Sequence, residues 1–231
     1  MDSYQAELRD VTEMTPSVKH FLFELDKSWS FKPGQHTVFD LSIGGETVKR
    51  PYTMTNTDGS NSFTVAVKKY DDGTGSVKMH SLSIGDTVIV NEPKGNLYLR
   101  DTSDDAVFVS TGTGASPMIA MLQAYLEDGD GHAYYLHGER TMESRLFTES
   151  LVMLEAEHDD LTVMHSLSDD DWDGRTGRIQ SHLPSVVDDL SAATHYVCGV
   201  PQMVVDTESF LEDHGVPSDQ IVAEGWEDDA T

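Results

Sequence analysis

Arg50-Pro51-Tyr52-Thr53 stands between two runs that alternate apolar and polar residues as β-strands do. Within four positions it gathers an obligate cation, a rigid imino acid, a large aromatic and a hydroxyl. Arg presents a fork of N–H donors suited to phosphate, Tyr a flat apolar face with a polar tip, and Thr a group that donates or accepts. These side chains suit a planar, phosphate-bearing, redox-active ring, so the stretch is a candidate flavin seat. A strand end with an exposed Arg and a buried Tyr would be written the same way, and the rest of the chain decides between the two.

Around this stretch the pattern is short and β-like. Residues 4–11, 18–25, 36–42, 47–53, 63–68 and 87–91 are expected strands, separated by turn signals such as Lys32-Pro33-Gly34 and Asp58-Gly59. Six short strands with one intervening helix predict a small antiparallel barrel over residues 1–100. The helix is expected at 76–82, opened by Gly75-Ser76 with Ser76 as its N-cap. A helix N-terminus there would suit an anion such as a pyrophosphate.

Beyond a polar stretch at 100–105 the period changes. Strands are expected at 106–110, 132–137, 161–166, 195–198 and 220–223, with helices at 118–127, 142–155, 178–187 and 202–214. Strands alternating with helices predict a Rossmann-like, five-stranded parallel sheet covered on both faces, spanning residues 101–231. Gly112-Thr113-Gly114-Ala115-Ser116-Pro117 follows the first of these strands, where a dinucleotide pyrophosphate would meet backbone N–H groups. Pro117 stands where the three-glycine fingerprint has its last glycine, and a plain strand-to-helix turn reads equally well. A second glycine turn at Cys198-Gly199 follows a later strand and would open on the same crevice, although a lone Cys commonly serves as a small buried hydrophobe.

The 231 residues carry 41 acidic against 15 basic side chains, a net charge of −26. That balance argues against nucleic acid and anionic membrane as partners, since both require a basic face. Self-repulsion of this size is relieved when salt shortens the Debye length to about 3 Å at 1 M, so a salt-adapted, halophilic origin is expected. A single cysteine excludes an intramolecular disulfide and a cysteine-ligated iron–sulfur cluster. The first residues have no basic and apolar leader and no run approaches 18 apolar residues, so a soluble, cytoplasmic protein is expected. The closest-spaced histidines, His132 and His137, are five apart on an expected strand and point to opposite faces, so no metal site is expected. Nor does a Gly-x-Ser-x-Gly elbow occur.

Taken in order, Pro33-Gly34-Gln35, Arg50-Pro51-Tyr52-Thr53, Gly75-Ser76, Gly85-Asp86 and Glu92-Pro93-Lys94-Gly95 resemble the ferredoxin–NADP reductase superfamily of flavoprotein reductases. The resemblance continues through Gly112-Thr113-Gly114 with Pro117, Gly138 and Arg140, Gly174 and Gly177, Cys198-Gly199 with Pro201 and Met203, and Glu224 with Trp226. It implies an FAD-binding barrel, a nicotinamide-nucleotide domain and a reaction in the cleft between them. Arg50 would bind a flavin phosphate, Tyr52 would pack on the isoalloxazine and Thr53 would hydrogen-bond near its N5, with Pro51 among the cofactor-binding residues. Gly75, Ser76 and Val77 would hold the FAD pyrophosphate beside a groove of Ala66, Val67 and Lys68. Gly112, Thr113 and Gly114 would meet NADPH or NADH, with Arg140 and Arg178 on its phosphates or ribose and Cys198 and Gly199 beside the nicotinamide. Thr53, Cys198 and Glu224 would be the catalytic set, and Trp226 the ring-stacking aromatic, although five residues follow it.

Where NADP-specific members carry a Ser-Arg pair, this chain has Ser166-Leu167 followed by Asp169-Asp170-Asp171, which favours NADH, while Arg175 and Arg178 argue for NADPH. The implied activity moves electrons between NAD(P)H and a one-electron carrier such as ferredoxin. A small-molecule flavin or quinone reductase, an electron-transfer subunit of a larger complex and a nucleotide-binding regulatory module are the competing readings.

Overall fold

The computed structural model describes residues 3–57, 61–100 and 102–225. The turn signal at Asp58-Gly59 and the expected stacking residue Trp226 lie outside the described residues. The described residues form two six-stranded sheets.

The first sheet is antiparallel and runs β4-β3-β6-β1-β2-β5, from β1 (Ser3–Glu13), β2 (Val18–Leu25), β3 (His36–Ile43), β4 (Glu46–Thr53), β5 (Ser62–Lys68) and β6 (Thr87–Asn91). Alternation places Phe21, Phe23, Phe39, Phe63, Val65 and Val90 inward, where they form one core. Phe23 stacks on Phe63 at 5.5 Å between centroids and meets Phe39 edge-on at 5.4 Å. The edge strands close on each other just beyond β4, through the Met54–Val65 bridge and the Thr55 N–H, which donates to the Thr64 carbonyl at 2.9 Å. That closure turns the sheet into the expected barrel and fixes where the strand carrying Arg50-Pro51-Tyr52-Thr53 ends.

Helix α1 (Thr74–His80) crosses between β5 and β6. Its N-cap is Gly73, not Ser76. Ser76 lies inside the helix with a buried side chain, and its Oγ accepts from the Tyr70 N–H at 3.3 Å. The capping chemistry of Ser is used on the loop before the helix instead.

The second sheet is parallel and runs β10-β9-β8-β7-β11-β12. Its strands are β7 (Ala106–Thr111), β8 (Ala133–Glu139), β9 (Leu161–Leu167), β10 (Arg175–Thr176), β11 (Thr194–Gly199) and β12 (Ile221–Gly225). All five expected strands are present, and the two-residue β10 adds a sixth at the edge beside β9. Consecutive apolar residues such as Val107, Phe108 and Val109 are all fully buried, because each face of the sheet is covered and feeds a separate core. Helices α2 (Ala115–Asp128), α3 (Thr148–Glu157) and α4 (Pro201–Asp213) supply the cover.

Two expected helices differ. The run 142–155 is broken into a 3₁₀ turn at Met142–Ser144 and then α3, because Leu146 and Phe147 turn inward and Phe147 takes a left-handed backbone, φ 55°. For a bulky aromatic that conformation costs about 1–3 kcal/mol. The run 178–187 is a 3₁₀ helix, Ile179–Ser185, with Pro184 inside it. Proline removes the N–H that a continuing α-helix would need.

One rung of the parallel sheet is polar across five strands, from β12 to β9. Glu224 pairs with Cys198, Cys198 with Ser110, Ser110 with His137 and His137 with His165. Neighbours in register on parallel strands share a face, and here Ser110 Oγ lies 2.8 Å from His137 Nδ1.

The sheets share packing. Val18, Ala66 and Leu97, from the first sheet and the chain just after it, belong to the same apolar cluster as Phe108, Met118 and Tyr196. Within the α/β half the backbone packs more closely still at the start of α2, where a Cβ on Gly114 would stand 2.3 Å from the Cys198 carbonyl oxygen. Both partners are backbone, so nothing there can swing aside. Gly114→Ala is therefore expected to lower stability by about 1–3 kcal/mol, as overpacking does, read as a fall in the urea midpoint with an unchanged slope.

Candidate functional site

Between the two sheets lies a cleft of about 400 Å³. The barrel contributes Pro51, Tyr52 and Thr53 from the end of β4, Ala66, Val67 and Lys68 from β5, Tyr70, and Ser76 from α1. The α/β half contributes Thr111, Gly112, Thr113, Gly114, Ser116, Pro117, Arg140, Gly199 and Val200. Chain segments more than a hundred residues apart thus face one space at the carboxyl ends of the parallel strands, the ordinary position for a ligand in such a sheet.

Local structure explains each placement. Tyr52 is held edge-on by Phe39 of the barrel core, 5.3 Å between centroids. Lys68 lies over the Tyr70 ring at 5.4 Å. Gly112, φ 55°, would meet nothing within 4 Å if it carried a Cβ, so its backbone faces open space at the turn before α2. Gly199 is tight instead, because a Cβ there would stand 2.3 Å from Thr111 Oγ1.

Other expected residues stand beside the cleft. Arg50 lies across the start of α1: a Cβ on Gly75 would be 2.4 Å from Arg50 Cγ, and Arg50 Nη2 donates to Thr74 Oγ1 at 3.1 Å. Val77 is exposed on the same helix. The Cys198 side chain is fully buried in the apolar cluster under α2, and its backbone rather than its thiol abuts the Gly114 turn. Glu224 is half-buried, and burial pushes its carboxyl above the usual carboxylate range against a hydrogen bond from the Leu97 backbone. Arg178 pairs with Asp206 at 2.9 Å and does not line the cleft.

Tyr70, Thr111, Ser116, Pro117 and Val200 line the cleft without having been singled out as binding residues. Four of them flank the two glycine turns and could have been read from that proximity. Tyr70 sits in an irregular loop, where no periodicity points to it.

Ser116 bears on what the cleft holds. Its Oγ is buried with no hydrogen-bond partner among the described residues, whereas Ser76 Oγ and Thr111 Oγ1 nearby both accept backbone N–H groups. Leaving a buried hydroxyl unmet costs about 1–3 kcal/mol. Together with Lys68, Arg140, the exposed turn at Gly112 and the aromatic faces of Tyr52 and Tyr70, it suits a ligand with flat rings and phosphates.

Comparison with known proteins agrees. Residues 5–98 match the oxidoreductase FAD-binding domain and residues 108–209 the oxidoreductase NAD-binding domain. Ferredoxin–NADP reductase B of Sorangium cellulosum (strain So ce56) is 32% identical over 98% of this chain and 98% of its own length. The chain belongs to the ferredoxin–NADP reductase superfamily. It is a flavoprotein oxidoreductase with FAD as cofactor and NAD(P)H as substrate. The ferredoxin NADP+ reductase of Neisseria gonorrhoeae, with bound FAD and NADP, shares the fold at a TM-score of 0.86 and 21% identity, over 97% of this chain and 99% of that one. The reductase component of propane 2-monooxygenase from Rhodococcus jostii (strain RHA1) is 28% identical over 84% of this chain, which spans 55% of that protein. Among the described residues no helix is long and apolar enough to cross a membrane, and no three His, Cys, Asp or Glu side chains are grouped to hold a metal.

Ser116→Ala removes a hydroxyl without a partner, so the ligand-free enzyme should melt at the same temperature or higher. If that hydroxyl meets a ligand in the cleft, thermal shift measurements should find less stabilisation of the variant by added nucleotide.

Proposed function

We propose that residues 1–100 hold FAD and residues 101–231 the nicotinamide nucleotide, and that the enzyme passes electrons from NAD(P)H to a one-electron carrier, with ferredoxin the favoured acceptor. The observation that carries this reading is the single cleft shared by the end of β4, by β5 and by the Gly112 and Gly199 turns. The chemistry belongs to bound FAD, which takes up a hydride and releases electrons singly. The chain orients the reactants. Pro51 and Tyr52 present a flat face braced from behind by Phe39, and Thr53 sets a hydroxyl at the same edge. Arg50, laid over Gly75, brings its cation to the first turn of α1, so that Gly75, Ser76 and Val77 with Arg50 take the flavin's phosphates, and Ala66, Val67 and Lys68 line the groove beside them.

On the other wall Gly112, Thr113 and Gly114 offer backbone N–H groups to the nucleotide diphosphate, with Arg140 as the nearby cation. Cys198 and Gly199 shape the floor where the nicotinamide lies, and Glu224, with its raised carboxyl, is positioned at the same rung. Thr53 and Glu224 remain in the proposed catalytic set, Cys198 joins it through its backbone rather than its buried thiol, and Trp226 is the proposed ring-stacking aromatic.

NADH is the preferred donor in this reading. Arg178 is engaged by Asp206 and Arg175 donates to Ser185 Oγ at 3.0 Å, so both cations that favour a 2′-phosphate already have partners. The carboxylates remain: the Asp169 N–H donates to the Arg140 carbonyl, and Asp170 accepts from the Met142 N–H, which places both at the rim next to Arg140. Anaerobic stopped-flow mixing of the yellow enzyme with NADH and with NADPH should bleach the flavin in both cases, with the larger kcat/KM for NADH. A colourless protein that takes up no FAD would overturn the whole assignment, and a larger value for NADPH would overturn the preference alone.

The charge supports an acidic partner on the barrel. Eleven of the 15 basic residues lie in residues 1–100, against only 13 of the 41 acidic ones. Nearly all of the negative excess therefore sits on the nucleotide-binding half, and an acidic carrier such as a ferredoxin is steered to the barrel, where Lys49, Lys68, Lys69 and Lys78 form the proposed docking face. The same excess supports a salt-adapted enzyme. Lys69→Glu with Lys78→Glu should slow ferredoxin reduction at low salt, and the loss should shrink as salt rises. An unchanged rate across the series counts against the docking face, and a melting temperature that does not rise in molar KCl counts against salt adaptation.

A further inference from the structure

Phe147 is the only non-glycine described residue with a left-handed backbone. Glycine takes that conformation freely and Asn takes it easily, so keeping a buried Phe there requires that its ring be needed. The ring leaves the nucleotide half and meets His20 of β2 edge-on, with centroids 5.9 Å apart and planes at 88°. Leu146 and Phe147 share their apolar cluster with Val18 and Ala66 of the barrel.

His20 in turn ties down the end of the seat strand. Its Nε2 lies 2.7 Å from Thr55 Oγ1, which lies 2.7 Å from Thr64 Oγ1. Asn56 Oδ1 accepts from the Thr64 N–H at 3.0 Å. Thr55 follows Thr53 by two residues, just where the chain bridges from β4 to β5. A side chain of one domain thus presses on the histidine that anchors the strand end presenting Tyr52 and Thr53 in the other.

We propose that Phe147 is a positioning residue that, through His20 and Thr55, holds the end of β4 at the separation from the nucleotide half that hydride transfer requires. The inference rests on the placement of the flavin at Tyr52 and Thr53 given above. Reacting atoms must come within about 3–3.5 Å, and a displacement of about 1 Å can cost a hundredfold in rate. Phe147 touches neither ligand in this scheme, so its loss should act on transfer and leave binding alone.

The test uses the FAD-loaded enzyme. Phe147→Gly removes the ring and the backbone strain together, and Phe147→Leu keeps an apolar bulk without the flat edge. In single-turnover stopped flow at saturating NADH, Phe147→Gly should slow flavin reduction about tenfold or more, with the nucleotide Kd within about twofold and an intermediate rate for Phe147→Leu. The Thr55 amide, which donates across the β4–β5 closure, should exchange faster in the variant while the most protected amides do not. His20→Ala combined with Phe147→Gly should cost no more than the worse single variant, as expected of residues acting in one chain.

Flavin reduction at the wild-type rate, fully additive losses or an unchanged Thr55 amide would each overturn the proposal. If Phe147→Gly does not load FAD, Phe147→Leu and His20→Ala carry the same readouts. Thr53→Ala separates the two claims: a wild-type rate there removes the flavin placement itself, whereas a slowed Thr53→Ala beside a normal Phe147→Gly removes only the role of Phe147.

Discussion

Ala66 belongs to two structures at once. It lines the cleft on β5 and is packed in the apolar cluster whose other members come mostly from the parallel sheet and its helices. Burying a small residue this way brings the wall of a β-barrel directly against the core of an α/β layer, with Val18 and Leu97 beside it. Hydrophobic contact of this kind is non-directional, so it holds the halves together without fixing their angle. Directional contacts do that: the Arg100 N–H donating to Tyr196 Oη at 3.0 Å, the Leu97 backbone with Glu224, and the edge of Phe147 on His20. The cleft exists because these few groups decide where the two layers stop approaching.

The fold was legible because each half obeys one periodicity. Alternation such as Phe21, Phe23, Leu25 reads directly as a strand with one buried face, and runs such as Ala106 to Val109 read as strands buried on both. The misreadings arose where tertiary burial competed with local pattern. Residues 142–155 look helical throughout, and nothing in the sequence warns that Leu146 and Phe147 will be drawn inward and break the run. Ser76 had the chemistry of an N-cap, but a glycine three residues earlier makes the turn and leaves Ser76 to hold the loop before it.

The site was partly legible for a different reason. Glycines at 112, 114 and 199 mark backbone that must come close to something, and all three face the cleft. What they cannot say is what each is close to: Gly112 opens on free space, whereas Gly114 and Gly199 are packed against the chain itself. Chain order set Cys198 in the same crevice as the first glycine turn, but Gly199 lines the cleft and the Cys198 side chain is buried in the core, because side chains on a strand alternate. Arg178 illustrates the opposite case, a cation whose nearest partner, Asp206, is distant in sequence.

The polar rung Glu224, Cys198, Ser110, His137, His165 has a consequence for how the parallel sheet assembles. Apolar runs buried on both faces carry little information about which residue should lie beside which, since one Val or Leu replaces another when a strand slides. A slip of one residue at any of these four junctions would set a hydrogen-bonding or ionisable side chain against hydrocarbon, for instance His137 against Val109 in place of Ser110. The rung therefore acts as an alignment mark. It penalises misregistered sheets in a domain whose slow, long-range parallel pairing exposes it most to error.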